Sequence, residues 1–293
     1  MDVEVIEPHG FCHGVTQAIK LAEKALAEGP VFSLHPLVHN ETVVAALAAK
    51  GMCAVAAPEC LPRGSTVLFS AHGVAPVLRC AVEALDCRII DATCPFVARI
   101  HRQAQDFARR GVPVVVVGHA GHAEVCGIVG EVDSLGGVVR VVRTVEDVDA
   151  LDFPPQSAVG VLCQTTFDAG MALEIVEALS SRYANLEKPS AADVCTATRD
   201  RQDAVREFVR SGGDGVLVLG SAGSSNTMRL LEIARSMGVR FAARAESAAE
   251  AAKLDLSGVV RLGVTSGAST PESVLTDVTR SLSGGTCIAG TER

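Results

Sequence analysis

The chain has 293 residues, 48% of them apolar, and a formal net charge of −8. That apolar share is ample for buried cores, while the acidic balance argues against nucleic acid as the main partner. No apolar run approaches the ~18 residues that span a bilayer, and no basic segment followed by an apolar one opens the chain, so a cytoplasmic location with no membrane partner is expected.

Short β-branched runs such as Val114–Val117 alternate with helical patterns along the whole length. This is the signature of parallel α/β structure. Aligning the strand-to-helix junctions reveals a repeat. Val3-Glu4-Val5-Ile6 leads through Gly10-Phe11-Cys12-His13-Gly14 into a helix over about 15–27. Arg88-Ile89-Ile90 leads through Asp91-Ala92-Thr93-Cys94-Pro95 into a helix ending near Arg109. Pro95 suits a first helical turn. Asp193-Val194-Cys195-Thr196 then opens a helix ending near Arg210. In each unit a cysteine stands where an extended segment turns into a helix.

A second polar junction follows each cysteine by 27, 28 and 29 residues, at His39, His122 and Ser224. A third follows by 60, 71 and 74 residues, at His72, Thr165 and Ser269. Three units of the same order predict three similar small α/β domains in a pseudo-threefold trefoil. Ligands of open α/β sheets bind at the carboxyl ends of the strands, so these junctions are expected to converge on one central cavity. The expected domains are 1–91, 92–191 and 192–281, with strand 1–13 docking beside the third domain and 282–293 as a tail.

Ten cysteines with no Cys-x-x-Cys exclude a zinc ribbon or a thioredoxin-like motif. Disulfides are not expected in a cytosolic chain, and most of these cysteines should be small core hydrophobes. Cys12, Cys94 and Cys195 escape that reading. Three thiolates at helix N-termini suit a metal cluster. A [4Fe–4S] cube would then keep one iron without a protein ligand; zinc on three cysteines and a histidine is the competing metal. The seven-residue spacing of Cys80, Cys87 and Cys94 is read as accidental, because a helix ends near Asp86 and Arg88–Asp91 reads as a strand. Cys126 and Cys163 lie near junctions but are expected to pack in the core.

His39, His72, His122, Ser224, Ser225, Asn226 and Ser269 supply imidazoles, hydroxyls and loop N–H groups suited to an anion. Ser224 to Asn226 also read as a helix N-cap before Met228. Glu124, two residues past His122, could deliver protons beside Thr165 and Thr166, or simply favour a helix start.

Ten motifs carry a family resemblance. In chain order they are Gly-Phe-Cys-x-Gly-Val (10–15), Val-His-Asn (38–40), Ser-Ala-His-Gly-Val (70–74) and Asp-Ala-Thr-Cys-Pro (91–95). Gly-His-Ala-Gly-His-x-Glu-Val (118–125), Gln-Thr-Thr (164–166) and Cys-x-Ala-Thr (195–198) follow, then Arg-Gln (201–202), Ser-Ser-Asn (224–226) and Gly-Val-Thr-x-Gly-Ala-Ser (263–269). Together they resemble the 4-hydroxy-3-methylbut-2-enyl diphosphate reductases, the LytB family, from residue 3 to about 281. The resemblance implies one [4Fe–4S] cluster per chain on Cys12, Cys94 and Cys195. It also implies a diphosphate held by His39, His72, His122, Ser224, Ser225, Asn226 and Ser269, and proton relay by Glu124 with Thr165. The implied reaction is reductive dehydroxylation to isopentenyl and dimethylallyl diphosphates, the last step of the methylerythritol phosphate isoprenoid pathway, with reduced ferredoxin or flavodoxin as donor. The chain departs from the family pattern at His9, His13, Ala123, Cys126, Asp200 and Gly223. Two alternatives stay open: a diverged trefoil cluster enzyme similar to quinolinate synthase, and a non-enzymatic cluster sensor. The retained histidines, Ser-Ser-Asn run and Glu124 argue against both.

Overall fold

The structure is a computed structural model that describes residues 1–189 and 193–282. Of the expected tail, 283–293 lie outside the described residues. Strands and helices alternate, apart from two successive strands that only a short 3-10 turn at Pro58–Cys60 separates: β1 (Asp2–Val5), α1 (His13–Leu26), β2 (Val31–Leu34), α2 (Glu41–Ala49), β3 (Met52–Val55), β4 (Thr66–Phe69), α3 (Pro76–Glu83), β5 (Arg88–Asp91) and α4 (Pro95–Arg109). They continue with β6 (Val114–Val117), α5 (Ala123–Asp133), β7 (Val139–Val142), α6 (Val145–Asp149), β8 (Ala158–Cys163), α7 (Ala169–Arg182), β9 (Asn185–Glu187) and α8 (Thr196–Arg210). The last are β10 (Gly215–Leu219), α9 (Ser225–Ser236), β11 (Phe241–Ala245), α10 (Ala248–Ala251), β12 (Arg261–Ser266) and α11 (Glu272–Leu282).

The strands form three parallel four-stranded sheets, as the threefold repeat predicts. Their orders are β3-β2-β4-β5, β7-β6-β8-β9 and β11-β10-β12-β1. Each is the same arrangement, closed at one edge by the strand that leads toward the next cysteine. Contacts gather the chain into two compact units. One comprises Met1–Cys12, His39–Val43 and the stretch from Ala197 onward; the other comprises His13–Val38 and Val44–Thr196. The first unit holds the β11-β10-β12-β1 sheet and the second holds the other two.

Burial on both faces explains the strand composition. Val114, Val115, Val116 and Val117 are all fully buried. Val115 and Val117 pack with α7 through Ile175 and Leu179. Val114 and Val116 pack with Ile100, Phe107 and Ile128 of α4 and α5. A central parallel strand covered on both sides needs such an unbroken apolar run, and each buried valine contributes ~1.5–3 kcal/mol. Helix α4 buries Val97, Ile100, His101, Ala104, Phe107 and Ala108, one apolar stripe at helical spacing. His101 is the polar residue on that stripe. Among the described residues, no helix is long and apolar enough to cross a membrane.

Candidate active site

Each of the three cysteines singled out by the repeat is half-buried, immediately before a helix or at its start, and anchored through its backbone in the same way. The Cys12 N–H donates to Ala268 O (3.1 Å), Cys94 N–H to Ala71 O (3.0 Å) and Cys195 N–H to Thr165 O (3.2 Å). Every acceptor lies in the third junction loop of the preceding repeat. Further side chains brace these loops. Asp91 Oδ1 accepts from the Thr93 N–H (3.0 Å) and hydroxyl (2.5 Å). Arg99, five residues past Cys94, pairs with Asp193, two residues before Cys195 (3.1 Å). Arg201 is 3% exposed and donates to Ala197 O (2.7 Å), Gly10 O (2.9 Å) and His9 O (3.3 Å). It thereby ties the start of α8 to the loop that carries Cys12.

The general expectation for the other cysteines is overturned. None of the nine described cysteines forms a disulfide, and only Cys163 is buried. Cys53, Cys60, Cys80 and Cys126 are exposed. Cys126 is exposed on α5 and donates to Ala120 O (3.5 Å), so the expected core packing holds for Cys163 and fails for Cys126. Burial, reinforced by the Asp193 charge, pushes the Cys163 thiol up to about 12. The 80-87-94 spacing is indeed accidental, because α3 ends at Glu83 and Arg88–Asp91 is β5.

The second unit brings together His72, His122, Glu124 and Thr165. His122 caps α5, its Nδ1 accepting from the Glu124 N–H (3.2 Å). In the neutral ring this makes Nε2 the protonated, donating nitrogen. His72 lies edge-on to it with ring centroids 5.6 Å apart, and its Nδ1 is 3.2 Å from Ser70 Oγ. Glu124 is 1% exposed. Thr165 engages both its oxygens, the N–H reaching Oε1 (2.6 Å) and the hydroxyl Oε2 (2.8 Å). Burial pushes the Glu124 carboxyl up to about 7, against the opposing pull of the Thr165 hydrogen bonds and the His101 charge. A carboxyl poised there can both give and take a proton near neutral pH.

The first unit assembles His39, Ser224, Ser225, Asn226 and Ser269. Ser224 caps α9, accepting from the Thr227 N–H (3.3 Å); Ser225 opens the helix. Asn226 is clasped from both sides: its Nδ2 donates to Thr198 Oγ1 (3.4 Å) and its Oδ1 accepts from the Ala268 N–H (3.3 Å). The Ser269 hydroxyl donates to His39 O (3.1 Å). Burial lowers the His39 pKa, so the ring is neutral at pH 7.

Several departures from the family pattern are locally accommodated. His9 contacts Glu7 (2.9 Å) and Glu272 (3.1 Å). Ala123 occupies the first position of α5. His13, Asp200 and Gly223 are exposed. The bracing roles of Gln164, Arg201 and His101 emerge only from the structure. Gln164 is fully buried and accepts from the His119 N–H (3.0 Å). Gln164 and Arg201 stand within the Gln-Thr-Thr and Arg-Gln motifs. His101 was signalled only as an imidazole on the apolar stripe of α4.

The LytB protein family model matches residues 3–283. A 4-hydroxy-3-methylbut-2-enyl diphosphate reductase from Leifsonia xyli subsp. xyli is 39% identical over 279 residues, covering 94% of this chain and 82% of that protein. One from Acidothermus cellulolyticus is 40% identical over 278 residues, covering 94% and 81%. The solved E-1-hydroxy-2-methyl-but-2-enyl-4-diphosphate reductase of Plasmodium falciparum superposes with a TM-score of 0.89 at 30% identity, covering 95% of this chain and 87% of that one. A second solved structure, titled as the terminal enzyme of the non-mevalonate pathway, gives a TM-score of 0.68 at 31% identity, covering 97% and 100%.

Proposed function

The chain belongs to the LytB family of reductases, and from that membership we infer that it removes the hydroxyl group of 4-hydroxy-3-methylbut-2-enyl diphosphate reductively. Two electrons and two protons convert the allylic C–O bond to C–H and release water, giving isopentenyl or dimethylallyl diphosphate. The observation that carries this reading is the buried Glu124 carboxyl, poised near neutrality and engaged at both oxygens by Thr165.

Hydroxide is a poor leaving group, so the departing oxygen needs a proton as its bond to carbon breaks. Glu124 is the proposed donor, and general-acid help of this kind is worth ~10²–10⁴ in rate. Thr165, bonded to both carboxyl oxygens, orients Glu124 beside the departing oxygen. His39, His72, His122, Ser224, Ser225, Asn226 and Ser269 are proposed to hold the diphosphate. Imidazole N–H, hydroxyl and helix-start N–H groups let an acidic protein bind an anion.

Cys12, Cys94 and Cys195 are proposed to hold one [4Fe–4S] cluster. Three half-buried thiols with matching backbone anchors suit a three-thiolate site. When bound, the cluster supplies the electrons. Reduced ferredoxin or flavodoxin is the proposed source, and the cytoplasm the proposed compartment. The proposed domains are 1–91, 92–191 and 192–281, and the β1–β12 pairing supports docking of the first strand on the third.

The test is anaerobic turnover of the hydroxy-diphosphate with a low-potential chemical reductant. Release of the two five-carbon diphosphates is expected. No product from cluster-loaded protein would overturn the reading, and a condensation product or mere cluster titration would favour the alternatives.

A further inference from the structure

We propose that His101, backed by Glu131, is the proton store that recharges Glu124 during turnover. The inference builds on the reading of Glu124 as the acid and adds a residue that no motif of the family resemblance included.

His101 lies seven residues past Cys94 on α4 and is 8% exposed. Its Nδ1 sits 3.0 Å from Glu131 Oε1, and Glu131 Oε2 accepts from Gln105 Nε2 (2.7 Å). Glu131 is itself 7% exposed. Although burial opposes ionisation, hydrogen bonds from His101 and Gln105, with the charges of His101 and Arg79, hold its carboxyl below the usual carboxylate range. An ionised Glu131 accepts at Nδ1, which leaves Nε2 as the ring position free to carry and pass on a proton.

The other ring nitrogen is the informative one. His101 Nε2 is buried and has no hydrogen-bond partner among the described residues. An unsatisfied buried polar atom is costly and uncommon, so a purely structural role would be better served by an apolar side chain. Two glycines make room for the ring. A Cβ at Gly73, which has φ +71, would lie 2.8 Å from His101 Cε1 and 3.2 Å from Nε2; one at Gly127 would lie 2.9 Å from Nε2. Gly73 follows His72, and Gly127 lies one turn past Glu124.

Helix geometry explains the placement. Glu124, Gly127, Ile128 and Glu131 are all buried on α5, and residues at i, i+3 and i+7 share a face. Glu124 and Glu131 are thus two turns apart, ~10 Å along the axis at 1.5 Å per residue. The imidazole lies over that face with Nδ1 on Glu131 and Nε2 against Gly127, one turn from Glu124. Its charge is felt at the Glu124 carboxyl.

The step is a proton transfer without redox change. Once Glu124 has given its proton to the departing oxygen, the His101 Nε2–H bond breaks and the proton passes by way of one intervening water, whose own proton forms the new O–H bond on the Glu124 carboxylate. The ring remains neutral, with Nδ1–H on Glu131, and recovers its proton from bulk water after turnover. His101 therefore acts through Glu124.

The test compares wild type, E124Q, H101N and H101Q as full-length, cluster-loaded protein. Asn keeps a donor for Glu131 and removes Nε2; Gln places a group near Nε2 that cannot ionise. Both His101 variants should keep the cluster absorbance and thermal stability, keep KM within about twofold, and lose ~10-fold or more in kcat. Their solvent deuterium isotope effect on kcat should rise. The infrared band of the protonated Glu124 carboxyl, assigned by its loss in E124Q, should persist to higher pH in both. Turnover within twofold of wild type with an unmoved band would overturn the proposal, as would parallel loss of stability and cluster in both variants. An inactive wild type would overturn the functional reading instead, and the infrared titration alone would then decide the coupling.

Discussion

Thr165 closes over the Glu124 carboxyl from two directions, its N–H 2.6 Å from Oε1 and its hydroxyl 2.8 Å from Oε2. One partner is backbone and survives any side-chain change, whereas the other can be deleted alone. That division makes the pair separable by mutation.

Replacing Glu124 by Gln keeps the size of the group and cannot deliver a proton. Turnover should fall by ~10² or more, with the cluster absorbance intact and diphosphate binding near normal. An enzyme within a few-fold of wild type would return Glu124 to a helix-start carboxylate.

The same substitution has a stability signature. Burial raises the folded-state carboxyl from 4.5 to about 7, so between those values the folded protein binds more protons than the unfolded chain. Its contribution is full below pH 4.5 and is lost as pH rises through about 7, an effect of order 3 kcal/mol at ~1.36 kcal/mol per unit. Denaturant unfolding at pH 5 and pH 7 should show wild type losing more stability over that window than E124Q. Equal slopes would mean that the carboxyl is not raised.

Thr165→Ala removes the hydroxyl contact and leaves the backbone one. Since that hydroxyl favours the ionised carboxylate, its loss should move the Glu124 pKa further up and shift the upper limb of the pH–rate profile the same way. Turnover should fall ~10-fold, and Thr165→Ser should restore most of it. Equal damage from Ala and Ser would point to the methyl group instead.

Cys12→Ser, Cys94→Ser and Cys195→Ser should each abolish or badly weaken the broad absorption near ~400 nm expected of iron–sulfur thiolate centres. Cys126→Ser should leave it unchanged, because that thiol is exposed on α5 and stands outside the threefold set of junction cysteines. A larger loss from Cys80→Ser or Cys87→Ser would show that the ligands had been misassigned.

His39 is neutral at pH 7 because burial lowers its pKa. A bound diphosphate favours the imidazolium, so binding should take up protons, increasingly as pH falls toward the ordinary histidine value of 6.5. Calorimetry with inorganic diphosphate in two buffers of different ionisation enthalpy measures this. His39→Ala should abolish the uptake, and His39→Ala and Ser224→Ala should each raise KM ~10-fold or more, about 1.4 kcal/mol. Unchanged KM in both would place the substrate elsewhere.

Much of this protein was determined locally. The alternation of β-branched runs with amphipathic stretches specifies parallel strands and crossover helices, because side-chain period and burial on both faces are properties of short segments. Caps such as Ser224, and Pro95 in the first turn of α4, mark helix starts for the same reason. The repeat of junctions places Cys12, Cys94 and Cys195 at equivalent positions from sequence alone. Packing decided the rest. The first strand joins β12, more than 250 residues away in sequence. Cys126 and Cys163 both lie near junctions in sequence, yet one is exposed and the other buried. The raised pKa of Glu124 and the buried Nε2 of His101 depend on which groups shut out water around them. Desolvation is set by neighbours brought in from distant parts of the chain, so no reading of the local sequence could have supplied it.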